Sequence, residues 1–159
     1  KILALHQPVA IDLRFIVVVL KVNNDLERIG DLAENLTARA VYLAEREPMP
    51  EPMAIINGMF VTIRSMLKDS LDSLVKLDVD LARKVIEQDD GVDQINRQMY
   101  DDFRQMMARD ASMIEQATSW LSCSRYLERI ADLATNISED VVFMVEGEVV
   151  RHQTQETSL

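Results

Sequence analysis

The sequence predicts an all-α protein built from a few long helices, and three observations carry that reading. Only 4 Gly and 4 Pro occur in 159 residues, too few for the many turns of an all-β domain. Apolar residues recur at three- and four-residue spacing over most of the chain. Two ten-residue stretches 101 positions apart are nearly the same.

Pro8 suits the first turn of a helix, where its missing N–H is not needed, and no breaker occurs between Val9 and Pro48. Leu26, Ile29, Ala33, Leu36, Ala40 and Leu43 recur there at helical spacing, while Arg28, Glu34, Arg39 and Glu45 fall largely elsewhere. Residues 15–20, Phe-Ile-Val-Val-Val-Leu, have the β-branched content of a buried strand, yet no turn residues separate them from the periodic pattern downstream, so they read as helix. Pro48, Pro50 and Pro52 restrict their neighbours to extended backbone and mark a linker over 48–52. A second helix over 53–77 carries Met59, Ile63, Met66, Leu67, Leu71, Leu74 and Val75 on its apolar stripe. Asp78 or Asp80 caps a third, over 79–109, which carries Leu81, Val85, Ile86, Val92, Ile95, Met99, Phe103 and Met106. Ser112 and Glu115 form a capping-box signature opening the last helix, which runs to about Gly147 and leaves a polar tail. Short connections make the three helices after the linker antiparallel neighbours.

Composition narrows the function classes. Seventeen Lys+Arg against 27 Asp+Glu give a formal net charge of −10, which disfavours nucleic acid, because duplex binding draws its affinity from clustered cationic side chains. Cys123 stands alone, excluding an intrachain disulfide or a CxxC metal site. No apolar run approaches the roughly 20 residues that cross a bilayer. No Ser/His/Asp set, P-loop or Gly-rich dinucleotide turn occurs. Met99, Met106, Met107 and Met113 read as core filler, Cys123 as a small core residue, and Trp120 and Tyr126 as bundle residues with their polar ends at the rim.

The repeat lays residues 26–35, Leu-Glu-Arg-Ile-Gly-Asp-Leu-Ala-Glu-Asn, over residues 127–136, Leu-Glu-Arg-Ile-Ala-Asp-Leu-Ala-Thr-Asn, with eight of ten positions identical. The two long helices are therefore copies. Two helices precede the second copy and almost nothing precedes the first, so the chain, which opens on Lys1, is expected to be a fragment of a tandem of three-helix units.

Glu27, Asp31 and Asn35 stand four apart and share one helix face, as do Glu128, Asp132 and Asn136; Asp89 and Asp93 repeat the spacing on the preceding helix. Acids at i and i+4 repel, and a hard cation held by carboxylates of facing helices would offset that. The Glu-x-x-His pattern of di-iron bundles is absent, so the donors are all oxygen, which suits Mg, Ca, Mn or iron. Against this stands the ordinary reading, in which Glu-x-x-x-Asp is a solvated face; its recurrence in both copies weighs toward a site. Gly30 and Gly91, beside the acids, read either as close approach of a neighbour or as neutral variation.

The two copies, together with residues 145–152, Val-Glu-Gly-Glu-Val-Val-Arg-His, and residues 7–14, Gln-Pro-Val-Ala-Ile-Asp-Leu-Arg, resemble the PhoU family of phosphate-transport regulators. The resemblance implies a tandem three-helix-bundle fold. Residues 1–47 would supply the last helix of a truncated first repeat, 53–148 a complete second repeat, and 149–159 a polar tail. It implies metal clusters, with iron or zinc and with Mg or Mn as alternatives, and no organic cofactor. Carried over by position, the ligands are Asp89, Asp93, Glu128 and Asp132 with Asn136 beside them, and Glu27, Asp31 and Asn35 in the first repeat, whose opposing acidic helix is lacking. The family's role implies a cytoplasmic adaptor without enzymatic turnover. It would negatively regulate phosphate uptake and phosphate-starvation signalling by contacting the ATPase of the phosphate ABC transporter and a sensor histidine kinase, with homo-oligomers possible and neither nucleic acid nor membrane insertion. The alternative is a helical protein–protein interaction module that works without metal.

Overall fold

The computed structural model describes residues 10–147. Four long helices account for nearly all of them: α1 (Ala10–Ala44), α2 (Pro50–Lys76), α3 (Val79–Arg109) and α4 (Ile114–Glu146), with a 3-10 turn at Ala111–Met113. Among the described residues there is no strand, and residues 15–20 are helical, as their continuity with the downstream pattern predicts. The readings placed on Pro8 and on the tail from 149 onward lie outside the described residues.

Helix ends follow local chemistry. α2 begins at Pro50 rather than at 53, because prolines at its first positions lack N–H groups that no intrahelical carbonyl would accept. It ends at Leu77, whose φ of 56° is left-handed, with the Asp78 N–H donating to Ser73 O at 3.0 Å. Asp78 caps α3, its carboxylate accepting from the Leu81 N–H at 3.0 Å. The capping box expected at Ser112 does not form: α4 starts behind Met113, which has helical backbone and makes no side-chain cap bond. Asp110 takes the position instead, accepting from the Ser112 N–H at 2.9 Å and hydroxyl at 2.7 Å, so that Ser112 is held inside the 3-10 turn. Gly147, with φ of 78°, closes α4, and a Cβ there would also run into the Arg14 guanidinium.

A main core and a small second cluster of Ala82, Val141 and Val142 hold the described residues together, and α4 is their axis, packed by each of the other three helices. Met59, Ile63 and Met66 of α2 and Val85, Val92, Met99 and Phe103 of α3 meet Trp120, Cys123, Leu127, Ile130 and Ile137 of α4. On the other side of α4, α1 contributes only a narrow buried line of Val18, Val22, Ile29 and Leu43. Lys21 pairs with Asp140 near one end of α4, and the Tyr42 hydroxyl donates to Glu115 near the other, so α1 and α4 run antiparallel. The rest of α1 is open, with Phe15, Leu20 and Val41 more than half exposed. Trp120 departs from expectation: it is buried, and its Nε1–H has no partner among the described residues, so the indole sits inside the core rather than at a wet rim.

Candidate functional site

The acidic positions divide between two seams that flank α4. On the α3 side, antiparallel packing sets Asp89 and Asp93 against Glu128. Asp89 is buried and Asp93 is partly buried, its carboxylate 3.4 Å from the Arg97 guanidinium. Burial, then the charges of Asp93 and Asp89, push the Glu128 carboxyl above its ordinary value, against the opposing pull of Arg125 and Arg129. One turn away the seam stays polar, where the Ser124 hydroxyl donates to Asn96 Oδ1 at 2.6 Å.

On the α1 side, Arg28, Asp31 and Leu32 face Arg129, Asp132, Leu133 and Asn136 across an open cleft of about 400 Å³. Three of these are equivalent pairs in the internal repeat, 28 with 129, 31 with 132 and 32 with 133. The two copies thus meet at the centres of their own motifs, about an approximate local two-fold axis. A step of four residues turns a helix by about 40° and advances it about 6 Å. That step carries α4 from Glu128, at the α3 seam, to Asp132, at the α1 cleft. Glu27 and Asn35 are exposed, and the Asn35 amide donates to Asp31 O at 2.8 Å on its own helix. Around Gly30 and Gly91 nothing lies within 4 Å of where a Cβ would stand, so neither glycine marks a close approach.

Among the described residues, no group of three or more His, Cys, Asp or Glu side chains is placed to hold a metal ion. The donor chemistry of the α3–α4 seam still suits a hard cation: its acids are carboxylates only, and Glu128 is raised by burial first and then by its acidic neighbours, a repulsion that a cation would relieve. Side-chain rotation of Asp89, Asp93 and Glu128 toward one point would be needed.

A third acidic locus escaped sequence reasoning. Asp25 and Asp140, both nearly fully buried, face each other between α1 and α4, with Lys21 on Asp140 and Arg28 at 4.0 Å from Asp25. Burial first, then Asp140, raises the Asp25 carboxyl above its ordinary value. A signal existed: the repeat places Tyr126 over Asp25 and Arg39 under Asp140, so the two copies differ in charge at both positions.

Comparison with known proteins now bears on these seams. The family model described as PhoU domain matches residues 1–40 and 56–141. The phosphate-specific transport system accessory protein PhoU homolog of Aquifex aeolicus is 41% identical over 153 residues, covering 96% of this chain and 69% of that protein. The Escherichia coli protein, phosphate-specific transport system accessory protein PhoU, is 33% identical over 152 residues, with 96% of this chain and 63% of its own length covered. The chain thus spans about two thirds of the length of these relatives. The crystal structure of PhoU from Pseudomonas aeruginosa superposes with a TM-score of 0.87 at 35% identity, covering 92% of this chain and 70% of that one. That of the phosphate transport system regulatory protein PhoU from Streptococcus pneumoniae gives 0.76 at 27% identity, covering 91% and 68%.

Proposed function

The chain belongs to the PhoU family, and on that premise we propose that it is a regulatory accessory protein of phosphate transport. The observation that carries this reading is a match spanning both copies of the repeated helix, at 41% identity to a relative named as an accessory protein of the phosphate-specific transport system. The proposed action is that of an adaptor without turnover. It restrains the phosphate ABC transporter through its ATPase and holds the starvation-sensing histidine kinase in its repressing state. Among the described residues no helix is long and apolar enough to cross a membrane, and in this reading the protein works from the cytoplasm on membrane-bound partners. The test is a bacterial host whose own family member is deleted. Expression of this chain in phosphate-replete medium restores repression of a starvation-response reporter, and a reporter that stays fully on overturns the reading.

Metal belongs to the same proposal. Asp89, Asp93 and Glu128 would hold a hard cation at the α3–α4 seam, where it would neutralise their mutual repulsion and fix α3 on α4; Asp132 and Asn136, with Asp31 opposite, offer a second oxygen-only locus in the cleft, whereas Glu27 and Asn35 would need a further acidic helix. Elemental analysis of protein purified without chelators or metal resins gives bound metal that falls below half in the Asp89→Asn, Glu128→Gln double variant. Equal metal content in parent and variant removes the seam from consideration. A second reading, a metal-independent interaction module, is favoured by one observation, the lack of three converging ligand side chains among the described residues. Reporter repression that survives Asp89→Asn with Glu128→Gln supports that module over the metal-dependent adaptor.

A further inference from the structure

The methionines that read as core filler divide in the structure. Met99 is fully buried, whereas Met106 and Met113 stay partly exposed at the end of the molecule where α2 begins and α3 stops. There, together with Ile55 and the buried Phe103, they line an open groove of about 600 Å³. That size lies within the range of sites that enclose the apolar groups of a ligand. Methionine is unbranched and polarizable, so walls made of it re-pack around apolar guests of different shape. No residue of α1 lines the groove, which belongs to α2, α3 and the 3-10 turn that follows.

Charge is uneven around the rim, where Glu51, Asp102 and Asp110 stand exposed against one cation, Arg109. Among the described residues, none of these three acids has an ion pair within 4.0 Å. Asp102 accepts from the Gln98 amide at 3.0 Å, and Asp110 from the Ser112 N–H and hydroxyl, neutral donors that leave both negative charges in place. The Ser112 hydroxyl first, then its N–H, hold the Asp110 carboxyl below its ordinary range, which favours the charged form.

We propose that this groove docks a basic amphipathic helix of a partner protein, whose apolar residues at i and i+4 enter between Ile55, Met106 and Met113 while flanking Lys or Arg meet Glu51, Asp102 and Asp110. The rim decides among occupants. An anionic lipid surface or a nucleic-acid backbone would press like charge onto the carboxylates. A second copy is disfavoured on the same ground: the chain carries −10, and in none of the four helices do basic residues outnumber acidic ones. The proposal rests on the adaptor reading only for the existence of a protein partner. Its test uses purified protein, so failure of phosphate regulation in cells and failure of docking are separate results.

The probe is a labelled, capped helical peptide with Leu at i and i+4, Lys at the positions flanking that pair and Ala elsewhere, read by fluorescence anisotropy against the full chain. Binding is expected to weaken at least about tenfold in Glu51→Lys with Asp102→Lys, and to stay within about threefold in Glu34→Lys with Glu87→Lys, two exposed acids outside the groove. Asp110 is left intact because it holds the 3-10 turn. Glu51→Gln with Asp102→Asn gives the same reading, at about threefold or more, should far-UV circular dichroism show the reversal variant unfolded. Met106→Gln with Met113→Gln also weakens binding at least about tenfold, which charge attraction alone would not produce, and Arg109→Gln tightens it by removing the one opposing cation. Equal loss in the two Lys double variants, a peptide with Ala in place of both Leu that binds as well as the parent, or a peptide with Glu in place of Lys that binds as well overturns the proposal.

Discussion

Single buried groups set the chemistry that this protein shows to solvent. The Cys123 thiol, almost fully buried, is pushed up by burial from 9.0 to about 11, with Arg39 opposing weakly. Two units mean about a hundredfold fewer thiolates, and the thiolate is the reacting species. Thiol titration at pH 8 is therefore at least about a hundredfold slower for the folded protein than in urea; labelling at the unfolded rate would show that Cys123 is not enclosed. Between α1 and α4, Lys21 is the counter-ion of Asp140, beside Asp25. Lys21→Met leaves two buried carboxylates facing each other and costs about 1–3 kcal/mol at pH 7, discounted for the exposed lysine stem. The folded-state pKa of Asp25 is already raised, so the penalty of its charge is fully present above that value and is relieved as pH falls toward 3.8, where the unfolded group also takes its proton. The deficit of Lys21→Met in denaturant melts should accordingly shrink with falling pH, and a deficit that grows would refute the pairing. The repeat marks positions 25 and 140 as places where the copies differ in charge, but not that they meet, because they lie 115 positions apart and only the packing of α1 on α4 brings them together.

At the scale of elements, ends matter more than interiors. Leu77 holds a left-handed backbone that costs an L-residue about 1 kcal/mol, and half of its side chain is in water, so it gains little from burial. Leu77→Gly is expected to raise stability by about 0.5–1 kcal/mol, whereas Asp78→Ala, one residue on, removes the α3 cap and lowers it by about 1 kcal/mol. Opposite shifts of the urea midpoint check both; a destabilised Leu77→Gly would mean the side chain matters more than the strain. These two neighbours mark how far the helices are legible in sequence. Apolar spacing and the three clustered prolines place all four helices, and residue type narrows the α3 cap to Asp78 or Asp80, of which the structure uses Asp78. The left-handed turn at Leu77 is not readable, since neither Gly nor Asn announces it. The Ser112–Glu115 signature misleads because Asp110, two residues earlier, competes for the Ser112 N–H and wins by stopping the chain in a 3-10 turn. The acidic site follows the same division. The four-residue spacing shows that each triplet shares a helix face, but only the sandwiching of α4 between α3 and α1 decides that Glu128 faces Asp93 and Asp132 faces Asp31.

At the scale of the whole molecule, the internal repeat exposes an imbalance. Positions Trp120, Leu127, Ala131, Ala134, Ser138 and Val142 of α4 are buried, and α4 is covered by α2 and α3. Their equivalents in α1, Val19, Leu26, Gly30, Ala33, Thr37 and Val41, are all exposed. The same pattern that seats a helical pair on one copy is thus presented to water by the other, adjacent to Phe15 and Leu20, which makes a contiguous apolar face on one helix. Faces of this kind are rare on monomers and associate when nothing else covers them. The 159-residue chain is therefore expected to self-associate through α1, with a concentration-dependent mass in sedimentation velocity above its 18.1 kDa. Leu26→Lys with Val41→Lys places charge on that face without touching the line of Val18, Val22 and Ile29 that seats α1 on α4, so it should restore the monomer mass and leave helicity and the thermal midpoint unchanged. A parent chain that sediments as a monomer at every concentration would overturn the expectation, and a variant that loses helix content instead would show that the face already packs within its own chain.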